Sequence, residues 1–378
     1  MGPLSGITVV ALEQAVAAPL ASARLAEAGA RVIKIERASG DFARNYDQAA
    51  KGDSSYFVWV NQGKESLTLD IKNLEDLELL KRIIGKSDVF LQNLAPGAMG
   101  RLGLDAETLR AEFPTLITCD ISGYGENLAV SHLKAYDFLI QCESGLVAAS
   151  GAPGAPGRIG VSICDIGAGM AAHAAILEAL LLRGNTGQGS ALKVSLFDLA
   201  AEWMTVPFVH SEYGEAAPQP QGLRHPSISP YGGFKAGDGS LTALSIQNER
   251  EWVTFCSDVL ETPELAADER FNSNNQRTVN RHELEIIINL FFSAYSGKQL
   301  RERLAEAGIA YGAINSVEEL TQHLALRRRQ VHSSAGEMMT IPASPVAWVD
   351  RPRDRLKRPP VIGENSDNIR QEFEPDDV

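Results

Sequence analysis

The sequence predicts an α/β protein built on a parallel sheet, and three observations support this. Short apolar segments rich in β-branched residues recur through the first half of the chain. Segments with helical spacing separate them, and strands that alternate with helices form a parallel sheet covered by helices on both faces. The chain has 378 residues, which exceeds the usual size of one domain, so a second unit is expected.

The predicted elements follow this alternation through the first 210 residues, which we expect to form the large domain. Strands are predicted over residues 7–13, 31–37, 66–72, 88–94, 116–122 and 190–198, with helices over 17–30, 74–87, 105–113, 166–183 and 199–210. Apolar runs with β-branched residues indicate the strands, and apolar residues spaced three and four apart indicate the helices.

The composition changes after residue 210. Residues 211–228 are rich in Pro and Gly without an apolar period, which predicts a linker. Residues 229–325 are predicted to form a smaller α+β domain that begins with a hairpin turning at 237–239. Residues 326–378 are Pro-rich and are expected to return to the large domain, ending in a loose acidic tail at 371–378.

Charge and cysteine usage exclude several classes of protein. Lys and Arg number 35 and Asp and Glu 48, a net charge of −13 that opposes non-specific binding to nucleic acid or an anionic membrane. The 4 cysteines lie far apart without a C-x-x-C pair, which indicates reduced thiols rather than a zinc or disulfide framework. The N-terminal residues lack the pattern of a signal peptide, so we expect a cytoplasmic protein.

Motifs of common cofactor and hydrolase chemistries are missing where they are expected. The first strand-to-helix turn reads EQAVAAPLAS instead of G-x-G-x-x-G, which disfavours a nicotinamide cofactor. The chain has no Walker A loop, no H-E-x-x-H and no G-x-S-x-G. We therefore predict neither a metal site nor a permanently bound cofactor.

One carboxylate, Asp165, stands in an otherwise apolar and Gly-rich stretch, GRIGVSICDIGAG. The pattern alone favours a helix cap, because an Asp before a helix starting at Ile166 would accept unpaired backbone N–H groups. The alternative is a nucleophile, since Gly160, Gly167 and Gly169 would let a ligand approach the carboxylate. The residues by themselves leave both interpretations open.

Seven segments resemble, in order and spacing, the class III CoA-transferases, which include formyl-CoA transferase, carnitine CoA-transferase and α-methylacyl-CoA racemase. They are residues 6–37, 63–72, 92–103, 133–145, 157–169, 186–198 and 225–239. The resemblance covers nearly the whole chain. It implies a Rossmann-like large domain built from both ends of the chain, a small domain inserted near the middle, and an interlocked homodimer.

The same resemblance implies residue roles. Asp165 matches the family's nucleophile, which forms an acyl anhydride and then a CoA thioester. The positions that match CoA contacts are Arg37, Leu69, Lys72, Asn93, Leu94, Arg101 and Lys134. Coenzyme A and its acyl esters are thus the implied substrates, and Arg and Lys would bind the CoA phosphates through charge-assisted hydrogen bonds.

Two positions depart from particular branches of the family. Val16 stands where formyl-CoA transferase has Gln, so a formyl-specific contact is not expected. Tyr136 stands where the racemase has its catalytic His, and a phenol is a poor base at neutral pH. Transfer is therefore favoured over racemisation, with a racemase or a non-catalytic acyl-CoA-binding subunit as the alternatives.

The acids exchanged are predicted from residues 41–66, which resemble members that act on short dicarboxylic acids. We expect CoA to move from a donor such as succinyl-CoA to a C5 diacid such as itaconate, mesaconate or citramalate. A second carboxylate on the acceptor requires a cation, for which the candidates are Arg44, Lys51, Arg224 and His225.

Overall fold

The computed structural model describes residues 2–214, 219–350 and 356–375. The chain forms two compact units. The first comprises Met1–Leu146, Ile159–Thr205 and Arg327–Val378, and the second comprises Val147–Arg158 and Val206–Leu326. The large unit thus draws on both ends of the chain, whereas the sequence placed 147–158 and 206–210 in the large domain rather than in the second unit.

The elements are numbered in chain order. The strands are β1 Thr8–Leu12, β2 Arg31–Glu36, β3 Glu65–Thr68, β4 Val89–Gln92, β5 Ile117–Ser122, β6 Gly151–Ala152, β7 Ala155–Pro156, β8 Ala191–Ser195, β9 Tyr231–Lys235, β10 Leu241–Ser245, β11 Ala310–Ala313, β12 Arg328–His332 and β13 Met338–Pro342. The helices are α1 Ala17–Glu27, α2 Ser55–Val60, α3 Leu74–Gly85, α4 Ala98–Leu102, α5 Ala106–Glu112, α6 Asp137–Glu143, α7 Leu146–Ala149, α8 Ile163–Thr186, α9 Leu196–Trp203, α10 Thr205–Tyr213, α11 Glu249–Thr254, α12 Asn274–Val279, α13 Arg281–Phe292, α14 Gly297–Glu306, α15 Val317–Leu320 and α16 Ser366–Glu372.

The first unit is built on a parallel sheet with the order β3-β2-β1-β4-β5-β8, which confirms the predicted α/β class. Val9 pairs with Val32 on one side and with Val89 on the other, so β1 lies at the centre. The strand order reverses between β1 and β4. In sheets of this type, ligands bind beyond the carboxyl ends of the strands at that reversal.

Alternation along β1 divides the core of the first unit between the two faces of the sheet. Val9 and Ala11 belong to the apolar cluster that includes buried residues of α1 and α8. Val10 and Leu12 belong to the cluster that includes α3. Successive side chains of a strand point to opposite faces, so a fully apolar β1 is what a sheet covered on both sides requires.

Helix α8 is the longest helix of the described residues and has the length and composition of a possible membrane span. Core helices of globular proteins share these properties. Here Ala168, Ala172 and Ile176 are fully buried in the cluster shared with α1. Because part of α8 belongs to the core of the sheet, its apolar character is explained by packing in that part.

The end of the chain covers the outer edge of the sheet. Ser66 donates its backbone N–H to Asn365 Oδ1, and the N–H of Asn365 donates to the Ser66 carbonyl. The expected loose tail is wrong for its first residues, because Gln371 and Glu372 end α16 and Phe373 is buried. Residues 376–378 of that tail lie outside the described residues.

The second unit contains an antiparallel sheet of order β11-β10-β9, and the predicted hairpin at 237–239 is confirmed. The predicted linker is not a free extended segment where it is described. The His225 N–H donates to the Tyr231 carbonyl and the Gly222 N–H donates to the Gly151 carbonyl, both within this unit. Residues 215–218 of that linker lie outside the described residues.

Candidate active site

Helix α8 carries Asp165, and its observed start corrects the capping interpretation. The helix begins at Ile163, three residues before the predicted start, with Ser162 at the N-cap and no side-chain capping bond from it. Asp165 is therefore the third residue of the helix rather than its cap. Its carboxylate forms no hydrogen bond or ion pair with any described residue.

Asp137, from α6, provides the missing cap. Its Oδ1 accepts the N–H of Cys164 at 2.8 Å and the more distant N–H of Asp165 at 3.4 Å. Its Oδ2 accepts Gln141 Nε2 at 2.8 Å, and Gln141 Oε1 accepts the N–H of Ile159 at 3.0 Å. A buried Asp and Gln pair thus fixes the segment that leads into α8 and neutralises its unpaired N–H groups.

Burial and a neighbouring carboxylate change the acidity of Asp165. Burial, and then the negative charge of Asp137, raise the pKa of Asp165 to about 7. The side chain is only partly buried, so a ligand can still reach it. A carboxylate that is poorly solvated and bound by no cation retains its nucleophilicity. Both its protonated and its ionised forms are populated near neutral pH.

Close helix packing explains two of the three glycines near Asp165. A Cβ on Gly169 would lie 2.5 Å from the Ala17 carbonyl oxygen, and one on Gly167 would lie 2.4 Å from the Trp203 ring. Only Gly160 faces open space, with nothing within 4 Å of its added Cβ. The expectation that all three glycines leave room for a ligand is therefore wrong for two of them. The space beside Gly167 is filled by α9, and the space beside Gly169 is filled by α1.

The contact at Gly169 brings the start of α1 close to Asp165. Asp165 lies four residues before Gly169 on the same face of α8, about 6 Å along its axis. The N–H groups of Ala17 and Ala18, which open α1, donate to no described residue, and Val16 at the N-cap has no capping side chain. Two unpaired helix N–H groups are suited to stabilise a developing oxyanion.

Tyr46 lies near the same carboxylate. Burial, followed by the charges of Asp41 and Asp165 and then by Tyr136, raises the pKa of Tyr46 to about 12. The Tyr46 ring also meets Tyr56 edge to face, with ring centroids 5.4 Å apart. Tyr136 was predicted from the sequence, but Tyr46 was not, although it lies within residues 41–66, from which the exchanged acids were predicted.

Three of the predicted CoA-contacting residues meet at one cavity. Arg37, Leu69 and Leu94 line a space of about 170 Å³ at the carboxyl ends of β1 to β4. This is the position that the strand order predicts for a ligand. The other predicted cations lie on the surface outside that cavity and are Lys72, Arg101 and Lys134.

The Asn93 side chain binds the protein backbone, and its predicted contact with CoA stays a prediction. Its Oδ1 accepts the N–H of Gln14 at 2.9 Å, and its Nδ2 donates to the Gln14 carbonyl at 2.8 Å. The side-chain amide therefore holds the turn between β1 and α1. The same turn contains Val16, which is buried. Both residues shape the region around the start of α1.

The cations expected to bind a second carboxylate are differently placed. Arg44 donates to both oxygens of Glu36 and to the Pro360 carbonyl, and its guanidinium lies 3.7 Å from the Phe57 ring centroid. These contacts argue against Arg44 as the cation for a substrate, because its guanidinium is engaged by the protein. Lys51 is exposed in a turn, with a φ of 58°.

The remaining two candidates belong to the second unit. Arg224 Nε pairs with Glu285 at 2.6 Å, with about half of the arginine side chain exposed. His225 stacks on Tyr231, with ring centroids 5.1 Å apart. Both remain predictions as substrate-binding residues.

Comparisons with known proteins identify the family of the chain. A family model described as CoA-transferase family III matches residues 4–366. An acetyl-CoA:oxalate CoA-transferase of Acetobacter aceti is 33% identical over 98% of this chain and 96% of its own length. A succinyl-CoA:glutarate CoA-transferase of Mus musculus is 31% identical over 98% of this chain and 86% of its own. The crystal structure of a CAIB/BAIF family protein from Brucella suis is 30% identical with a TM-score of 0.83, covering 99% and 100% of the two chains.

The chain belongs to CoA-transferase family III. It is an enzyme that transfers CoA, which confirms the family predicted from the seven sequence segments.

Proposed function

We propose that this enzyme moves CoA from a donor acyl-CoA, preferably succinyl-CoA, to a short dicarboxylic acid, with Asp165 as the covalent nucleophile. The observation that carries the proposal is the state of the Asp165 carboxylate. It is partly buried and has no hydrogen-bond partner among the described residues, and Asp137 takes over the capping task that would otherwise occupy it. A structural role for the Asp165 carboxylate is therefore hard to find.

The covalent course balances without ATP or a metal. The ionised Asp165 attacks the donor thioester carbonyl, the C–S bond breaks, and an aspartyl anhydride and CoA thiolate result. The thiolate attacks the aspartyl carbonyl, releasing the donor acid and leaving an aspartyl-CoA thioester. The acceptor carboxylate attacks this thioester to form a second anhydride and free thiolate. The thiolate then attacks the acceptor's acyl carbon, which yields the new acyl-CoA and restores Asp165.

Each of these steps passes through a tetrahedral oxyanion, and the structure suggests what stabilises it. The N–H groups of Ala17 and Ala18 are unpaired and begin the helix that contacts Gly169. In this role they would donate hydrogen bonds to the negative charge that develops on the carbonyl oxygen as it is attacked. Stabilising the transition state in this way is usually the largest contribution of an enzyme to acyl transfer.

The acceptor that we propose is a C5 dicarboxylic acid such as itaconate, mesaconate, citramalate or glutarate. The two relatives described above are named for glutarate and oxalate, both dicarboxylic acids. Tyr46 feels the charge of Asp165, and phenols donate hydrogen bonds to carboxylates. Arg224 and His225 remain the proposed cations for the distal carboxylate, while Arg44 is left out because Glu36 and Pro360 engage it.

The racemase alternative requires a general base beside the substrate α-carbon. Tyr136 occupies the position of that base, at the N-cap of α6, with 62% of its surface exposed. A phenol with a reference pKa of about 10 is a weak base at neutral pH. Transfer is therefore the function that the site supports better, and the racemase and the non-catalytic binder become outcomes of the test.

The test is acyl exchange between succinyl-CoA and a panel of free acids, read by mass spectrometry. We expect a new acyl-CoA from at least one C5 diacid and little from formate or carnitine. Exchange with monocarboxylic acids alone would contradict the diacid proposal. Deuterium uptake at the α-carbon of a 2-methylacyl-CoA in heavy water, without any exchange, would favour the racemase, and acyl-CoA binding without either reaction would favour a binder.

We also propose that the enzyme is a homodimer. Helix α10 has no buried residue, and it exposes Val206, Phe208, Val209 and Tyr213. Apolar groups in contiguous exposure mark surfaces that another molecule covers. Light scattering on the purified chain is expected to give twice its mass of 40.8 kDa. We propose that the partner chain covers this helix, so Phe208→Glu should lower the dimer fraction, and a stable native monomer of the unaltered chain would rule the proposal out.

A further inference from the structure

Charged side chains are buried together at the carboxyl ends of β1 and β2. Five of these side chains have no exposed surface, and the sixth, Arg44, is 12% exposed. The five buried members of this charge cluster are Glu13, Lys34, Glu36, Asp41 and Lys64. Three are acids and three, with Arg44, are bases, so the charge cluster is neutral when all of them are ionised.

The contacts within the charge cluster converge on Lys34. Its Nζ lies 2.9 Å from Asp41 Oδ2 and 3.4 Å from Glu13 Oε1, while Lys64 Nζ lies 2.6 Å from Glu13 Oε1. Burial disfavours the charged form of Lys34, but Glu13 and Asp41 outweigh it and raise the pKa of Lys34. Burial also raises the Asp41 pKa, yet Lys34 reverses this and keeps that carboxyl ionised.

Asp41 connects the charge cluster to the turn between β1 and α1. Its Oδ1 accepts the N–H of Ala15 at 3.1 Å and the N–H of Ala43 at 2.9 Å. Lys34 Nζ lies 3.4 Å from the Glu13 carbonyl oxygen, just before this turn. Together with Asn93, which binds both backbone groups of Gln14, these side chains contact three successive residues of the turn.

The turn requires such support because its backbone is strained. Ala15 has a φ of 63°, a left-handed conformation that residues with a Cβ rarely adopt. The chain then enters α1, where the N–H groups of Ala17 and Ala18 remain unpaired. The conformation of Ala15 therefore decides where these two donors point.

Buried ion pairs are poor stabilisers compared with apolar packing of equal volume, so their presence calls for another reason. We propose that Asp41, held by Lys34, is a positioning residue that fixes Ala15 in its left-handed conformation and thereby aims the first N–H groups of α1 toward the reaction at Asp165. This inference rests on the proposed transfer function. It adds that Asp41 affects the rate of the reaction through the turn, without touching the reacting atoms.

The test compares Asp41→Ala with Asp88→Ala. Asp88 is a matched control, because its carboxylate also accepts a backbone N–H of β1, from Thr8 at 2.8 Å, and also pairs with a cation, Arg183 at 2.8 Å. It lies at the opposite end of β1. Both variants are expected to lower the melting temperature, but only Asp41→Ala should lower kcat, by about 10²-fold, as loss of oxyanion donors does.

Two further readouts separate positioning from stability. Hydrogen exchange of the peptide containing residues 14–18 should become faster in Asp41→Ala and remain unchanged in Asp88→Ala. Asp41→Asn keeps an acceptor oxygen but loses the ion pair with Lys34. Its kcat and its rate of hydrogen exchange should therefore lie between those of the unaltered enzyme and those of Asp41→Ala. In both Asp41 variants kcat should change more than the KM for succinyl-CoA.

The outcomes distinguish this inference from the proposed function. If the unaltered enzyme transfers no CoA to any acid, the proposed function fails, while hydrogen exchange still reports whether Asp41 holds the turn. If Asp41→Ala does not fold, Asp41→Asn carries the comparison. The inference is overturned if Asp41→Asn keeps both the kcat and the hydrogen exchange of the unaltered enzyme, or if Asp88→Ala loses as much kcat as Asp41→Ala.

Discussion

Asp165→Asn is expected to lower CoA transfer by about 10³-fold or more, because an amide of the same size cannot form the anhydride or the aspartyl-CoA thioester. The matched control is Asp198→Asn. Asp198 is likewise the third residue of a helix, three positions after a Ser N-cap. Exchange between succinyl-CoA and an accepted acid should persist in the control and disappear in Asp165→Asn.

Covalent trapping gives the same prediction a direct readout. With succinyl-CoA and no acceptor, the peptide containing Asp165 should gain the mass of CoA less one water, and hydroxylamine should convert the Asp165 side chain to a hydroxamate. The Asn variant should gain neither. Transfer at an unchanged rate in Asp165→Asn, or a label on another acidic residue, would contradict the assignment of the nucleophile.

The raised pKa of Asp165 also predicts the sign of a stability effect. The folded-state pKa of about 7 exceeds the ordinary aspartate value of 3.8, so the folded state binds more protons between these values. Stability contributed by this group is thus lost as the pH rises toward 7. The melting temperature of Asp165→Asn, relative to the unaltered chain, should therefore be higher at pH 8 than at pH 4.

Local patterns in the sequence were sufficient to predict the sheet. β1 and β2 are short runs of β-branched residues, and the apolar spacing of α1 lies between them, so each element is specified by its own residues. The β12–β13 hairpin was not predicted, because its strands contain Arg, Gln and Met without a clear alternation. Its pairing depends on contacts with each other and with the apolar cluster that includes Ala50 and Val58.

The site was predictable only as far as it is local. Asp165 could be recognised, but the sequence could not distinguish a cap from a nucleophile, because the true cap, Asp137, lies 28 residues earlier in the chain and reaches α8 through tertiary structure. The same limit applies to Tyr46 and Asp41. Tyr46 affects the site because it is partly buried near Asp165, and Asp41 affects it because it accepts the N–H of Ala15. No spacing in the sequence indicates either contact.

Asp137 is expected to set the pH at which the enzyme works. In Asp137→Asn the side-chain oxygen can still accept the N–H of Cys164, but the negative charge beside Asp165 is gone. Because that charge raises the pKa of Asp165, its removal lowers this pKa. The ascending limb of kcat/KM, which reports ionisation of the free enzyme, should move from near pH 7 to lower pH, and burial should keep it above the pH expected for an ordinary aspartate.

Asp137→Ala removes the cap as well as the charge. It should cost about 1 kcal/mol of stability, as loss of a helix cap does, in addition to the shift in pH. The matched control is Gln141→Ala, which breaks the hydrogen bonds to Asp137 and Ile159 without changing the charge. If Gln141→Ala moves the ascending limb of the kcat/KM profile as far as Asp137→Asn does, the shift arises from disorder of the segment before α8 and not from electrostatics. A limb that stays in place in Asp137→Asn would mean that burial alone determines the acidity of Asp165.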